Sequence, residues 1–248
     1  MKGFLQEYGI IMVVVAVVLG MLAFGKTGYA KGIQDAILGS ANHIVETGEN
    51  ITKKKAGDLL KIEGKEYIVI EEKEKDRPLV MTASSIENRI FNSTYRADSK
   101  NPSTYEGSEI DKYLENDWYN SLSSTVKAAI QSTNIKQTSY DSGLNKQETV
   151  YGGQVYNTIS RHAFLPSVSE IGKVVDLKSP DKVKAFLNGT TIWTRDSYRG
   201  SFYVAEGLSA NYNRLSQIDV NLTFGVRPAF VIDLSKVDYK EVGHVDYK

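Results

Sequence analysis

The stretch that most limits what this chain can fold into runs from Thr191 to Leu234. It reads as a strand at Thr191–Thr194, a polar and aromatic turn, a second strand around Phe202–Glu206 and an Asn-rich loop. It closes with the strongest β pattern of the chain, Phe224–Leu234. There Val226, Ala229, Val231 and Leu234 mix with Phe230 and Ile232, so the expected strand is covered on both faces. Gly225 and Pro228 each weaken a regular ladder, which points to a bulge or a strand start inside the run. Trp193, Arg195 and Arg227 read as a buried aromatic and two multi-donor groups that must find backbone carbonyls or carboxylates. This region is the expected core of the folded domain.

A chain of 248 residues, 41% apolar and 24% charged, has room for one anchor segment and one ordinary globular domain. Lys+Arg and Asp+Glu are both 30, a balance that argues against nucleic acid as the main partner. The absence of cysteine excludes structural disulfides, cysteine zinc sites and thiol catalysis.

From Tyr8 to Gly25 the chain carries no charge and is apolar all round. As a helix it is about 27 Å long, close to the ~30 Å of bilayer hydrocarbon. Helical spacing continues through Ile33, Ala36, Ile37, Ala41, Ile44 and Val45, giving one long helix with an amphipathic second half. Three readings stay open. One is a single-pass anchor at residues 8–25 in the bilayer, with the C-terminal domain outside. Another is a signal peptide cleaved near Gly28-Tyr29-Ala30, which would release a secreted domain. In the third, Glu7-Tyr8-Gly9 ahead of the Ile/Val run resembles a type IV pilin stalk of the small Flp/Tad type. That resemblance implies assembly of identical subunits through residues 4–46, with Glu7 and Tyr8 as assembly residues. A carboxylate in lipid is costly unless a cation, here a neighbour's N-terminal amine, meets it.

The expected boundaries are the helix at 1–49, a charged linker at 50–57 and a domain at 58–248. Asp58–Glu72 alternates around Glu63-Gly64-Lys65 as a hairpin. Ser108 caps a helix with Ile110, Tyr113, Leu114 and Trp118 on one face, and Leu122, Val126, Ala129 and Ile130 line a second. Residues 131–161 are polar and read as irregular. Ser167–Glu170 is a capping box, and Ser179-Pro180-Asp181 opens a further helix that stops at Asn188-Gly189.

In order, YLENDWYNSL, VKAAI, FLPSVSEIG, IWTRDS and GVRPAFVIDLSK resemble a family of bacterial and phage domains related to the C-type-lectin-like fold. Relatives in that group include the formylglycine-generating enzymes. Gly225, Arg227 and Pro228 match its closing-strand signature, and Trp193 and Arg195 match the strand before it. The resemblance implies an α+β domain: a twisted antiparallel sheet with two or more helices.

The formylglycine-generating chemistry needs cysteines that this chain lacks. His43, His162 and His244 are scattered without ligand spacing, and no serine sits in a nucleophile elbow. No metal, cofactor or catalytic group is expected. What remains is non-enzymatic recognition of a surface protein or glycan. The resemblance places such a surface on the late loops, at Tyr198, Arg199, Phe202, Tyr212, Asn213 and Arg214.

Overall fold

The structure, a computed structural model, describes residues 53–93, 103–141, 146–148, 150–151, 154–198 and 204–248. Residues 4–46, with Glu7, Tyr8 and the expected bilayer segment at 8–25, lie outside them, as do Arg199 and Phe202. Among the described residues no helix is long and apolar enough to cross a membrane. Lys53–Gly57, within the expected linker, belongs to the folded unit Lys53–Lys248. The Lys54 ammonium is buried against Glu241, and the Gly57 N–H donates to the Val69 carbonyl at 2.9 Å.

The first sheet grows from the expected hairpin. β1 (Asp58–Ile62) and β2 (Lys65–Glu74) turn at Glu63 and Gly64, whose φ values of 46° and 81° are both left-handed, as a tight two-residue hairpin requires. β3 (Arg77–Thr82) continues the meander, and β4 (Glu87–Ile90) crosses to a second sheet. Helical turns follow: α1 (Glu109–Lys112), capped by the Ser108 hydroxyl, a π-helix (Tyr113–Trp118), α2 (Tyr119–Ser121) and α3 (Ser124–Ala129).

The polar stretch expected to be irregular is instead built of short strands. They are β5 (Ile130–Gln131), β6 (Thr133–Lys136), β7 (Ser139–Asp141), β8 (Lys146–Glu148), β9 (Val150–Tyr151), β10 (Gln154–Val155) and β11 (Thr158–Arg161). α4 (Val168–Val174) carries the full capping box of Ser167 and Glu170. α5 (Pro180–Leu187) ends at Asn188 with φ 45°. The chain closes with β12 (Ile192–Tyr198), β13 (Val204–Ser209), β14 (Arg214–Asp219), β15 (Thr223–Val226), β16 (Ala229–Ile232) and β17 (Tyr239–His244).

The α+β, C-type-lectin-like expectation is therefore corrected: the fold is predominantly β, and the longest described helix has eight residues. Two misreadings produced the error. Ser/Thr/Asn-rich segments at 131–161 pair through their backbones without an apolar alternation to reveal them, and the Asn-rich loop after Glu206 is the β13–β14 hairpin.

The six-stranded sheet runs β17-β1-β2-β3-β16-β5, and the seven-stranded sheet has β14-β13-β12-β15-β4 as its path, with β7 beside β12 and β8 beside β7. Phe224–Leu234 is not one strand. β15 pairs with β4 and β12 in one sheet, and β16 pairs with β3 and β5 in the other. The chain changes sheet at Arg227-Pro228, where proline offers no N–H to continue a ladder. The core lies between the sheets, with Tyr67, Phe91, Phe164, Trp193 and Phe230 all 2% exposed or less.

At Gly225, neighbouring segments leave no room for a side chain. A Cβ there would meet the Ser85 hydroxyl, and would lie 2.7 Å from Thr190 Cγ2 and 3.0 Å from the Thr191 carbonyl oxygen. Gly225→Ala is expected to lower the unfolding free energy by about 1–3 kcal/mol, the usual cost of overpacking. Urea denaturation followed by tryptophan fluorescence reads that loss, since Trp193 is buried beside Phe224 at 5.4 Å between ring centres.

Candidate functional site

A cleft of about 350 Å³ opens beside the end of the β2–β3 hairpin. One wall is the run Gln131–Ile135 through β5 and β6, and the other carries Lys73, Glu74 and Arg77. Leu79, Phe164 and Val231 give it an apolar lining, and Glu170 reaches it from α4. Ser132 and Asn134 are exposed, while Gln131 and Thr133 are half-buried.

The ionised groups around the cleft are matched within the protein. Lys73 and Lys173 both meet Glu71, and Arg77 lies 2.8 Å from Glu74 and 3.6 Å from Asp233. Glu170 is held by Arg195 through two bonds of 2.5 and 2.9 Å. Burial pushes the Glu170 carboxyl upward, but Arg195 and the Ser167 N–H more than offset it and hold it below the usual carboxylate range. For Lys73, burial comes first and the positive charge of Lys173 second; together they lower its pKa.

Behind Glu170 the network continues along β12. Arg195 also donates to the carbonyls of Leu165 at 2.9 Å and Lys136 at 3.1 Å. Asp196 accepts from the Thr138 N–H and hydroxyl at 3.2 and 2.6 Å, and from the Val168 N–H at 2.6 Å. Burial raises the Asp196 pKa despite the neighbouring guanidinium. These groups sit where β12 parts from its neighbours. Its start is in register with β15 at Ile192–Gly225, its end with β7 at Ser197–Ser139. The segment before α4 fills the gap, with the Arg195 N–H donating to the Pro166 carbonyl at 3.1 Å.

The expected signature residues all serve the fold. The Trp193 indole N–H donates to the Arg89 carbonyl at 2.8 Å. Arg227 donates to the carbonyls of Thr82 at 2.8 Å and Ala83 at 2.7 Å, near the C-terminal end of α5, with the Phe186 ring centre 4.3 Å away. Burial brings its pKa down to about 10. Pro228 is buried, and its carbonyl accepts from the Thr82 N–H at 3.0 Å.

Of the expected recognition residues, Arg199 and Phe202 lie outside the described residues, and the other four fall at two places. Tyr198 ends β12 beside the start of β13, whereas Tyr212, Asn213 and Arg214 occupy the β13–β14 turn at its other end. The six residues of β13 separate these ends by about 17 Å. At the turn, Asn213 has φ 51°, and Tyr212 is 66% exposed with the Arg214 guanidinium 5.5 Å from its ring centre.

The sequence reading missed the cleft and a second polar cluster. There Glu115, on the π-helix, accepts from the backbone N–H groups of His162 and Ala163 and lies 2.8 Å from His162 Nδ1. His162 also stacks on Tyr119 with ring centres 4.6 Å apart. Among the described residues no group of His, Asp and Glu is arranged to hold a metal ion.

Asp196 offers a direct test of whether its acceptor role or its buried charge dominates. In Asp196→Asn one of the two oxygens becomes an NH₂ that faces an N–H donor. A loss of about 1–3 kcal/mol in thermal or urea unfolding is expected; stabilisation would mean that relief of the buried charge dominates.

Comparison with curated proteins and with solved structures finds no match. A family model does match residues 75–234, from the β2–β3 turn to Leu234, a span that leaves out β1, β2 and β17 and takes in most of the cleft. Since that is well over half its length, the chain belongs to the family described as Domain of unknown function (DUF6273).

Proposed function

We propose that this protein is a non-enzymatic recognition domain, held at the cell membrane by residues 8–25 and displayed outside, with its ligand received in the cleft. The observation that carries the reading is the state of the charges. Lys73, Arg77, Glu74 and Glu170 each have an opposite charge within the protein, so the cleft presents no poised acid–base pair. The β5–β6 wall adds the Asn134 amide and the remaining hydrogen-bonding capacity of Gln131, Ser132 and Thr133, above an apolar lining. A cleft with apolar walls and a few placed polar groups is the ordinary form of a binding site.

The β5–β6 wall rests on the first sheet through β5, which pairs with β16, and on β11, which pairs with β6. The site is thus preformed, and binding loses little to ordering. The bilayer segment is part of the proposal on sequence grounds: an uncharged apolar stretch from Tyr8 to Gly25 followed by a folded domain.

The test immobilises the full-length chain and measures retention of fragmented native cell envelope. Asn134→Leu combined with Thr133→Val is expected to cut retention about tenfold, the equivalent of losing roughly 1.4 kcal/mol, with an unchanged unfolding midpoint. Tyr212→Ala with Arg214→Ala is expected to leave retention near the parent level. The reverse pattern would move the binding surface to the β13–β14 turn and overturn the assignment to the cleft.

A further inference from the structure

We propose that the ligand of the cleft is a neutral, polyhydroxylated molecule, a saccharide of one or two rings. This rests on the cleft being the recognition site and adds the class of ligand.

Charge is the first ground. The charged groups that line the cleft are Lys73 and Arg77 with Glu74 and Glu170. These balance, and each has a counter-charge within the protein, so neither a phosphate nor a polyamine meets a net field of opposite sign at the lining. A phosphate at the Arg195–Glu170 pair would have to displace a carboxylate from a buried cation, whereas Lys73, Arg77 and Glu74 are open to solvent and their pairing costs less to break.

The chemistry of the wall is the second. Gln131, Ser132, Thr133 and Asn134 each carry a group that both donates and accepts hydrogen bonds; the first three already make one such bond, to the Ala129 carbonyl, the Ser160 hydroxyl and the Gln131 carbonyl, and keep their remaining capacity for a ligand. A sugar hydroxyl has the same dual character, and vicinal hydroxyls suit carboxamides, whose donor and acceptor point the same way. Across the cleft Glu74 and Arg77 supply planar acceptor and donor edges. Leu79, Phe164 and Val231 offer an apolar face to ring C–H groups.

Shape is the third. A volume of about 350 Å³ sits at the small end of the range for ligand sites, about 300–1,000 Å³, as one or two sugar rings require. An extended peptide would instead seek a strand edge, and β5 and the free side of β6 are such edges, so a peptide probe belongs in the test.

The experiment uses the full chain in a detergent without a sugar headgroup. Glucose, galactose, N-acetylglucosamine, maltose and cellobiose are compared with galacturonate, N-acetylneuraminate, inorganic phosphate and trialanine, by saturation-transfer NMR and then calorimetry. Binding is expected for at least one neutral sugar, at least tenfold tighter than for every charged probe. Asn134→Leu and Gln131→Leu should each weaken it at least fivefold at an unchanged unfolding midpoint. Binding of a charged probe or the peptide that these variants abolish would keep the cleft as the recognition site and overturn the saccharide. Binding of a neutral sugar indifferent to both variants would overturn the placement in the cleft. No binding of any neutral sugar would overturn the proposal outright.

Discussion

Two buried guanidinium groups set the terms for the rest of this structure. An arginine cannot shed its charge at any ordinary pH, and its five donors must all find acceptors once water is gone. Arg195 is 5% exposed and Arg227 is 2% exposed. The two solve the problem differently. Arg227 uses carbonyls alone, at the end of β3 and near the C-terminal end of α5, where the helix dipole is negative. Arg195 uses the Glu170 carboxylate together with carbonyls from β6 and from the segment before α4. Each arginine therefore fixes elements distant in sequence at one point. The change of sheet at Arg227-Pro228 and the parting of strands beside β12 are held by these contacts.

The same accounting explains what is left for binding. Glu170 has a double duty: it caps its own helix by accepting from the Ser167 N–H at 2.8 Å, and it neutralises Arg195. A carboxylate so engaged is a poor candidate for proton transfer, and its depressed pKa keeps it ionised. Satisfied polar networks of this kind rigidify what surrounds them. The charges lining the cleft consequently each have a partner within the protein.

Local patterns were legible in the sequence wherever neighbouring residues carry the signal. The Glu63-Gly64 hairpin, the Ser108 cap, the Ser167–Glu170 capping box and the stop at Asn188 all stand where their residue types place them. The burial of Trp193, Arg195 and Arg227, and their need for acceptors, could also be read from side-chain chemistry. The β class could not. β6, β7 and β11 consist largely of Thr, Asn, Ser and Tyr, and their pairing partners lie tens of residues away, so no periodicity announces them. The cleft was hidden for the same reason. Its walls come from Lys73–Arg77 and Gln131–Ile135, and no local motif records that they face each other. The expected recognition residues were drawn from one continuous stretch of sequence, and β13 separates Tyr198 from Tyr212, Asn213 and Arg214.

The Arg195–Glu170 contact is a coupled structural unit rather than two independent buried charges. A double-mutant cycle with Arg195→Met and Glu170→Leu, read by urea denaturation of the full chain, tests this. Coupling predicts single losses of about 3–5 kcal/mol each. It predicts a double variant less damaged than their sum by about 2–3 kcal/mol. Losses that add to within about 0.5 kcal/mol would contradict it.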